Sequence, residues 1–165
     1  MTTTRRATGL LAAFVALTGC GGGTTEETAP TVTVQAGAQE VAVDPTQYCL
    51  SGDGQRYGVS APVIEVPADT PIVLQVPDVL ADDGWSVQVF DQDLAEVIGE
   101  VDVGPDTPVF DGINSSDVAP AGFYLVVVQR RDPDACAGLS GAWPIGFIRS
   151  GGGTSSTAPT TSPSG

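Results

Sequence analysis

The sequence predicts an all-β fold, an antiparallel immunoglobulin-like β-sandwich, on three observations. Apolar residues between residues 31 and 150 recur with period two, which is typical of half-buried strands. Gly, Pro and Asp clusters separate these segments at short intervals, and no long helical pattern is present. About eight to ten short strands at this spacing favour a sandwich, with a small closed barrel as the alternative. The alternating segments are Val32/Val34, Val41/Val43, Ile72/Leu74/Val76, Trp85/Val87/Val89 and Trp143/Ile145/Phe147.

Two segments depart from the alternating pattern. Phe123 to Val128 is a continuous apolar run, which predicts a central strand covered on both faces. Asp91 to Glu100 is ambiguous between strand and one helical turn. The predicted turns are Gly52-Asp53-Gly54, Asp82-Asp83-Gly84, Gly104-Pro105, Asp111-Gly112 and Pro120-Ala121-Gly122.

The first nineteen residues have the features of a lipoprotein signal peptide. Arg5 and Arg6 precede a short apolar run, and the run ends in Leu17-Thr18-Gly19-Cys20. This pattern predicts cleavage before Cys20 and a thioether between its thiol and a diacylglyceryl group, with palmitate as an example of the fatty acid, so that two acyl chains hold the protein on the membrane. The alternative is an ordinary secretory leader in which Cys20 is incidental.

Composition then divides the chain into four parts. Residues 1–19 are the signal peptide, and residues 20–30 are small and polar, which predicts a lipidated flexible tether with an r.m.s. reach of roughly 17 Å. Residues 31–150 form the β-sandwich domain. Residues 151–165 contain only Gly, Ser, Thr, Pro and Ala, which predicts a disordered tail.

The charge of the chain excludes two classes of partner. A chain that begins at Cys20 keeps four arginines against twenty acidic residues, a formal charge of 4 − 20 = −16. Nucleic acid and anionic lipid headgroups repel such a protein. We therefore expect attachment to the extracytoplasmic face of the cell membrane through the lipid on Cys20 alone.

Cys49 and Cys136 remain once Cys20 is assigned to lipid, and we expect them to form a disulfide in an exported chain. The alternative is a thiolate nucleophile. It is disfavoured because the sequence has no histidine to act as its base.

The catalytic inventory is small. Histidine and lysine are absent, and Met1 is the one methionine, so the sequence predicts no enzyme, no cofactor and no metal centre. Carboxylates remain, and three interpretations apply to them: a solvated acidic face, which we favour, a calcium site, or an acid/base pair. The closest group in sequence is Asp91, Asp93, Glu96, Glu100 and Asp102.

Trp85 and Trp143 are the residues with the clearest potential for a ligand. Each lies in an alternating segment, where a core position is the favoured interpretation. The alternative is that the two indole rings line a groove and stack against a small molecule.

Several segments resemble a known family when they are taken in order. They are Tyr48-Cys49, Val63 to Pro67, Pro71 to Pro77, Gly84-Trp85-Ser86-Val87, and Pro120 to Gln129 followed by Cys136. Between Val41 and Arg149 the chain resembles a family of small actinobacterial lipoproteins of unknown function. The resemblance implies an exported, membrane-anchored β domain with paired cysteines, and it implies no catalytic or binding residue.

The leading hypothesis for function is a non-enzymatic, lipid-anchored binding or accessory domain that contacts a protein or another envelope component. The alternative is a small-molecule-binding lipoprotein that uses Trp85 or Trp143. The third hypothesis, an enzyme built on carboxylates, requires two acids about 5 to 10 Å apart in a concave site.

Overall fold

The computed structural model of the protein describes residues 28–130 and 134–151. They form strands, one short helix and one 3-10 turn. In chain order these are β1 (Val32–Ala36), β2 (Gln39–Val43), β3 (Gln47–Leu50), β4 (Asp53–Arg56), β5 (Val63–Pro67), β6 (Pro71–Gln75), α1 (Asp78–Ala81), β7 (Trp85–Asp91), β8 (Val97–Val103), β9 (Val109–Asn114), β10 (Gly122–Gln129), the 3-10 turn (Ala135–Gly138) and β11 (Ala142–Ser150).

The strands form two sheets that face each other, which confirms the predicted sandwich. The small sheet has the order β2-β1-β6-β9, with every neighbouring pair antiparallel. The large sheet has the order β4-β3-β11-β10-β7-β8. A further strand, β5, runs parallel to the second half of β11, and this pair departs from the antiparallel pattern of the rest.

The continuous apolar run forms β10, and its predicted central position is confirmed because β11 and β7 flank it. Phe123, Leu125 and Val127 point into the core and are buried. On the opposite face, Tyr124 and Val128 are only half-buried. The prediction that both faces are covered is therefore correct only in part.

The core lies between the inner faces of the two sheets. Ile72 and Leu74 from the small sheet are fully buried, as are the rings of Phe123 and Phe147, which stack with centroids 5.2 Å apart. Alternation with period two produces this arrangement, because successive side chains of a strand point to opposite faces.

The chain enters the domain before β1, and the last residues of the predicted tether are held on the domain. Ala29 packs against the core, and the carbonyl oxygen of Pro30 accepts a hydrogen bond from Trp143 Nε1 at 2.8 Å. The prediction that residues 20–30 form a flexible tether is wrong for these two residues. Cys20, the signal peptide and the tail after residue 151 lie outside the described residues.

The ambiguous segment from Asp91 to Glu100 contains the turn of a β-hairpin and no helix. Asp91 ends β7, and its Oδ1 accepts hydrogen bonds from the backbone N–H groups of Ala95 (2.7 Å) and Glu96 (3.2 Å). Leu94 takes a left-handed conformation with φ of 55°, after which β8 begins at Val97. The carboxylate of Asp91 thus closes the β7–β8 hairpin.

One of the predicted turns is wrong. Asp111 and Gly112 lie inside β9, where the pairing with β6 shifts register between Ile72 and Leu74. Glycine in a strand often marks such a bulge and not a chain reversal.

The disulfide fastens a hairpin that otherwise has few connections to the sandwich. Strand β3 pairs with β11 at a single position, Gln47 opposite Ala142, and every residue of β4 is exposed. Cys49 and Cys136 are joined, with their Cα atoms 5.8 Å apart. The bond ties the β3–β4 hairpin to the segment that leads into β11.

Removal of the disulfide should destabilise the fold. The bond closes a loop with a sequence separation of 87, so the double variant Cys49→Ala/Cys136→Ala is expected to lose roughly 4 to 5 kcal/mol of unfolding free energy on the chain-entropy model. Urea titration measures the loss. Cys20→Ser, which leaves the bond intact, is the control and should change the free energy by less than about 0.5 kcal/mol. A loss below about 1 kcal/mol in the double variant would contradict the prediction.

Gln129 is a polar side chain on the inner face of β10. It is 1% exposed, and neither its Oε1 nor its Nε2 has a hydrogen-bonding partner among the described residues. Its backbone N–H donates to the carbonyl oxygen of Gly141 at 3.0 Å, so the strand itself is fully paired.

Gln129→Leu is therefore expected to raise the unfolding free energy by about 1 to 3 kcal/mol, because a buried amide without partners carries its full desolvation cost. Gln55→Leu, at an exposed position of β4, is the matched control and should shift stability by less than about 0.5 kcal/mol. Thermal and urea unfolding measure both. A lower unfolding free energy for Gln129→Leu would contradict the prediction, because it would show that the surroundings stabilise the amide more than the leucine side chain.

Candidate functional site

The sandwich is open along the side where β8 and β9 form the edges of their sheets. A groove of about 350 Å³ runs between these two strands. Its lining is mainly apolar. The lining residues are Val89, Ile98, Gly99, Val101, Gly112, Ile113, Asp117, Val118 and Ala119. We call this feature the edge groove.

Strand β8 forms one wall of the edge groove. It pairs with β7 alone, and its other edge has no strand partner among the described residues. Val97, Ile98 and Val101 are 47%, 44% and 39% exposed, which is unusual for three large apolar side chains on one strand. The pairing shifts register between Val89 and Phe90, and this bulge leaves Ile98 without an opposite residue on β7.

Strand β9 forms the opposite wall, and it also carries a bulge. Phe110 packs its ring over Gly112, where an added Cβ would lie 2.7 Å from Phe110 Cζ. The same ring meets Trp85 edge-on, with centroids 6.3 Å apart. A side chain at 112 would displace the ring.

The far end of the groove is closed by a rigid turn after β9. The backbone N–H of Asn114 donates to Asp117 Oδ2 at 2.7 Å, and the N–H of Asp117 donates to the Asn114 carbonyl oxygen at 2.9 Å. Ser115 is fully buried, and its hydroxyl donates to the carbonyl oxygen of Pro67 at 2.9 Å. These bonds fix the turn to the loop between β5 and β6.

Arg149 holds this turn through two hydrogen bonds to its backbone. Its Nη1 donates to the carbonyl oxygens of Ser115 at 2.6 Å and Val118 at 2.9 Å. Val118 and its neighbour Ala119 line the groove. The guanidinium of β11 therefore sets the position of one wall of the groove.

Acidic side chains surround the edge groove. Glu100 and Asp102 are exposed on β8, Asp111 is exposed on β9, and Asp117 lies in the lining. Asp102 forms an ion pair with Arg130, whose Nη2 lies 2.6 Å from Asp102 Oδ1. Both partners of this pair are more than half exposed, so it contributes little to stability.

The carboxylates singled out in the sequence are spread along the β7–β8 hairpin. Asp91 closes the turn, Glu100 accepts a hydrogen bond from Gln88 Nε2 at 3.3 Å, and Asp102 pairs with Arg130. Within residues 28–130 and 134–151, no three Asp, Glu, Cys or His side chains are grouped closely enough to hold a metal ion. The exposed positions of most of these carboxylates agree with the solvated acidic face.

Neither tryptophan lines the edge groove. Trp85 and Trp143 are both 0% exposed. Each indole N–H has a backbone acceptor, Thr107 for Trp85 and Pro30 for Trp143, both at 2.8 Å. The hypothesis that these rings line a ligand groove is wrong, because both rings are fully buried in the hydrophobic core.

Another surface cavity, of about 740 Å³, lies beside the disulfide between the β3–β4 hairpin and the 3-10 turn. Its walls contain Asp53, Arg56 and Gly138, and it is wide and polar. Two carboxylates, Asp53 and Asp134, line it together with Arg56. No helix in the described part of the chain is long and apolar enough to cross a membrane.

Comparison with known families gives one match. Residues 25–104 match the sequence model of a family described as "Protein of unknown function (DUF2771)". The match covers the structure from the entry of the chain to the end of β8, including Cys49. The predicted resemblance after residue 104, which includes Cys136, lies outside it. Neither the comparison with curated proteins nor the comparison with solved structures found a match.

Sequence reasoning missed the edge groove. Val97 and Val101 alternate with polar residues as core positions do, so the sequence alone does not distinguish a covered inner face from an open one. The available signal was the density of acidic residues between Asp91 and Asp102, which is unusual for a strand buried in a sheet.

Arg149→Met is expected to loosen the wall of the groove and to lower the unfolding free energy by about 2 kcal/mol, because two charge-assisted hydrogen bonds are lost. Hydrogen exchange of the backbone amides at residues 115–118 should accelerate. Arg56→Met, on the exposed strand β4, is the control and should change stability by less than about 0.5 kcal/mol. Unchanged exchange at residues 115–118 would show that Arg149 does not hold the turn.

Proposed function

We propose that this protein is a lipid-anchored, non-enzymatic binding or accessory domain on the extracytoplasmic face of the cell membrane, and that its binding surface is the edge groove. The observation that carries the proposal is the groove itself. It brings exposed apolar side chains, Ile98 and Val101 among them, together on a rigid frame beside exposed carboxylates. Contiguous exposed apolar surface rimmed by polar groups marks interaction sites in soluble domains.

The attachment to the membrane is supported by the sequence. The leader ends in Leu17-Thr18-Gly19-Cys20, and the mature chain then begins at a cysteine with a thiol available for acylation. Residues 20–27 lie between the acylated end of the chain and Thr28. These eight residues span at most about 30 Å when fully extended. The domain thus stays close to the bilayer.

The topology supports a groove that faces away from the anchor. The chain enters at the end of the sandwich where β1 begins. The start of β9 lies at the same end, because Thr33 of β1 pairs with Gln75 of β6 and Gln75 pairs with Val109 of β9. The turn at 114–117 lies at the other end, where Asn114 pairs with Pro71. The chain from Cys20 therefore joins the sandwich at the end opposite the turn that closes the groove, and a partner in the envelope can approach the groove from its open side between β8 and β9.

Replacement of the acylated residue is the first test. In cells of the native host, the Cys20→Ser protein is expected to move from the membrane fraction to the soluble exported fraction and to lose incorporation of labelled palmitate. Fractionation and autoradiography measure this. A Cys20→Ser protein that stays membrane-bound would contradict lipid anchoring.

The binding role is tested in the same cells with a photo-crosslinking amino acid. Placed at Ile98, in the groove, it should capture a specific envelope component when Cys20 is intact. Placed at Val79, which is 49% exposed on α1 and remote from the groove, it should not. Equal capture from both positions, or none from Ile98, would contradict the edge groove as the binding surface.

A further inference from the structure

The edge groove has features that select one kind of partner. The unpaired edge of β8 offers backbone N–H and C=O groups over seven residues, a length of about 23 Å. An exposed sheet edge of this kind accepts an extended peptide as an additional strand.

The two faces of β8 differ in chemistry. Gly99 and Val101 point to the inner face, where they line the groove. Glu100 and Asp102 alternate with them and point to the outer face. A strand added beside β8 would place its own residues alternately over the groove and beside these two carboxylates, because cross-strand neighbours share a face.

The outer face already holds one cation. Arg130 Nη2 lies 2.6 Å from Asp102 Oδ1, which shows that a guanidinium fits beside β8. Glu100 has a neutral partner, Gln88, at 3.3 Å. A basic side chain opposite Glu100 would add an ion pair and improve this contact.

Charge argues against other occupants. A second copy paired along β8 would bring Glu100 and Asp102 against the same acids, in a chain of formal charge −14, and like charges directly opposite each other destabilise a strand pair. The segment of this chain after Ser150 has one Ala as its apolar side chain and no cation, so it matches neither face of β8.

We propose that the edge groove binds an extended segment of another protein in which apolar residues alternate with arginine or lysine, and that this segment adds to the large sheet as a strand beside β8. The apolar side chains fill the groove between Val101 and Ile113, and the basic side chains pair with Glu100 and Asp102. This inference rests on the proposed binding function and names the chemical class of its partner.

The test uses the full chain with Cys20→Ser and a labelled, end-capped peptide, Thr-Val-Arg-Ile-Arg-Val-Thr, which matches the seven residues of β8. Fluorescence anisotropy should show saturable binding that weakens as salt increases. Two control peptides are an analogue with Glu in place of both Arg residues and an analogue with an N-methylated backbone. Each should bind at least about tenfold more weakly.

Two matched variants locate the site. Val101→Lys, which introduces a cation into the groove, should weaken binding about tenfold or more. Val79→Lys, the same change at an exposed position on α1, should leave it within about twofold. Circular dichroism and unfolding establish that both are folded. If Val101→Lys unfolds the domain, Glu100→Lys is used in its place with the same expected loss.

Several outcomes would overturn the inference. They are equal binding of the basic and acidic peptides, insensitivity to Val101→Lys or Glu100→Lys, and self-association of the peptide-free chain that Val101→Lys abolishes, which would assign the groove to a second copy. The proposed function fails separately. If the Ile98 crosslinker captures a partner in cells and the peptide does not bind, only the partner chemistry is wrong. If the peptide binds and cells yield no captured partner, the groove chemistry stands and the envelope role is wrong.

Discussion

The two sheets share one apolar core, and the inner face of each sheet has to be covered along both of its side edges. On one side this condition is met. Strand β5 attaches in parallel to β11 and lies beside β2, and Gln39 Nε2 donates across to the carbonyl oxygen of Glu65 at 2.7 Å. On the other side, β8 and β9 are the last strands of their sheets and nothing in the described residues covers the gap between them. The edge groove follows from this asymmetry.

Trp85 and Val101 show why the sequence could predict the strands and not the site. Both residues face inward on neighbouring strands and are two residues out of direct register, since Val103 lies opposite Trp85 and Val101 opposite Val87. Trp85 is 0% exposed and Val101 is 39% exposed. The difference arises from strand order, because β7 lies inside the large sheet and β8 at its edge. Periodicity defines the face of a residue, and strand order defines whether that face is covered.

The same distinction, between the face of a residue and the position of its strand, separates the correct predictions from the wrong ones. The continuous apolar run of β10 correctly predicted a central strand, because a strand with neighbours on both sides is typically apolar throughout. The glycine of Asp111-Gly112 was interpreted as a turn, yet it lies in a bulge that makes room for the ring of Phe110. Strands β3 and β4 were missed because they contain little apolar alternation and are held by pairing with each other and by Cys49. Local composition predicts an element well when burial shapes it, and poorly when a distant contact does.

The acidic residues of β8 have a consequence beyond solubility. An exposed edge strand with several valines is prone to pair with copies of itself, and charged residues on the strand oppose that pairing. Glu100 and Asp102 repel any identical strand, while the same two carboxylates attract a strand that carries cations. The two carboxylates that oppose pairing of β8 with a copy of itself are therefore the groups that would pair with the cations of the proposed partner strand. The bulge at Ile98 adds to this selection, because it breaks the regular ladder and admits only a strand whose register fits the groove.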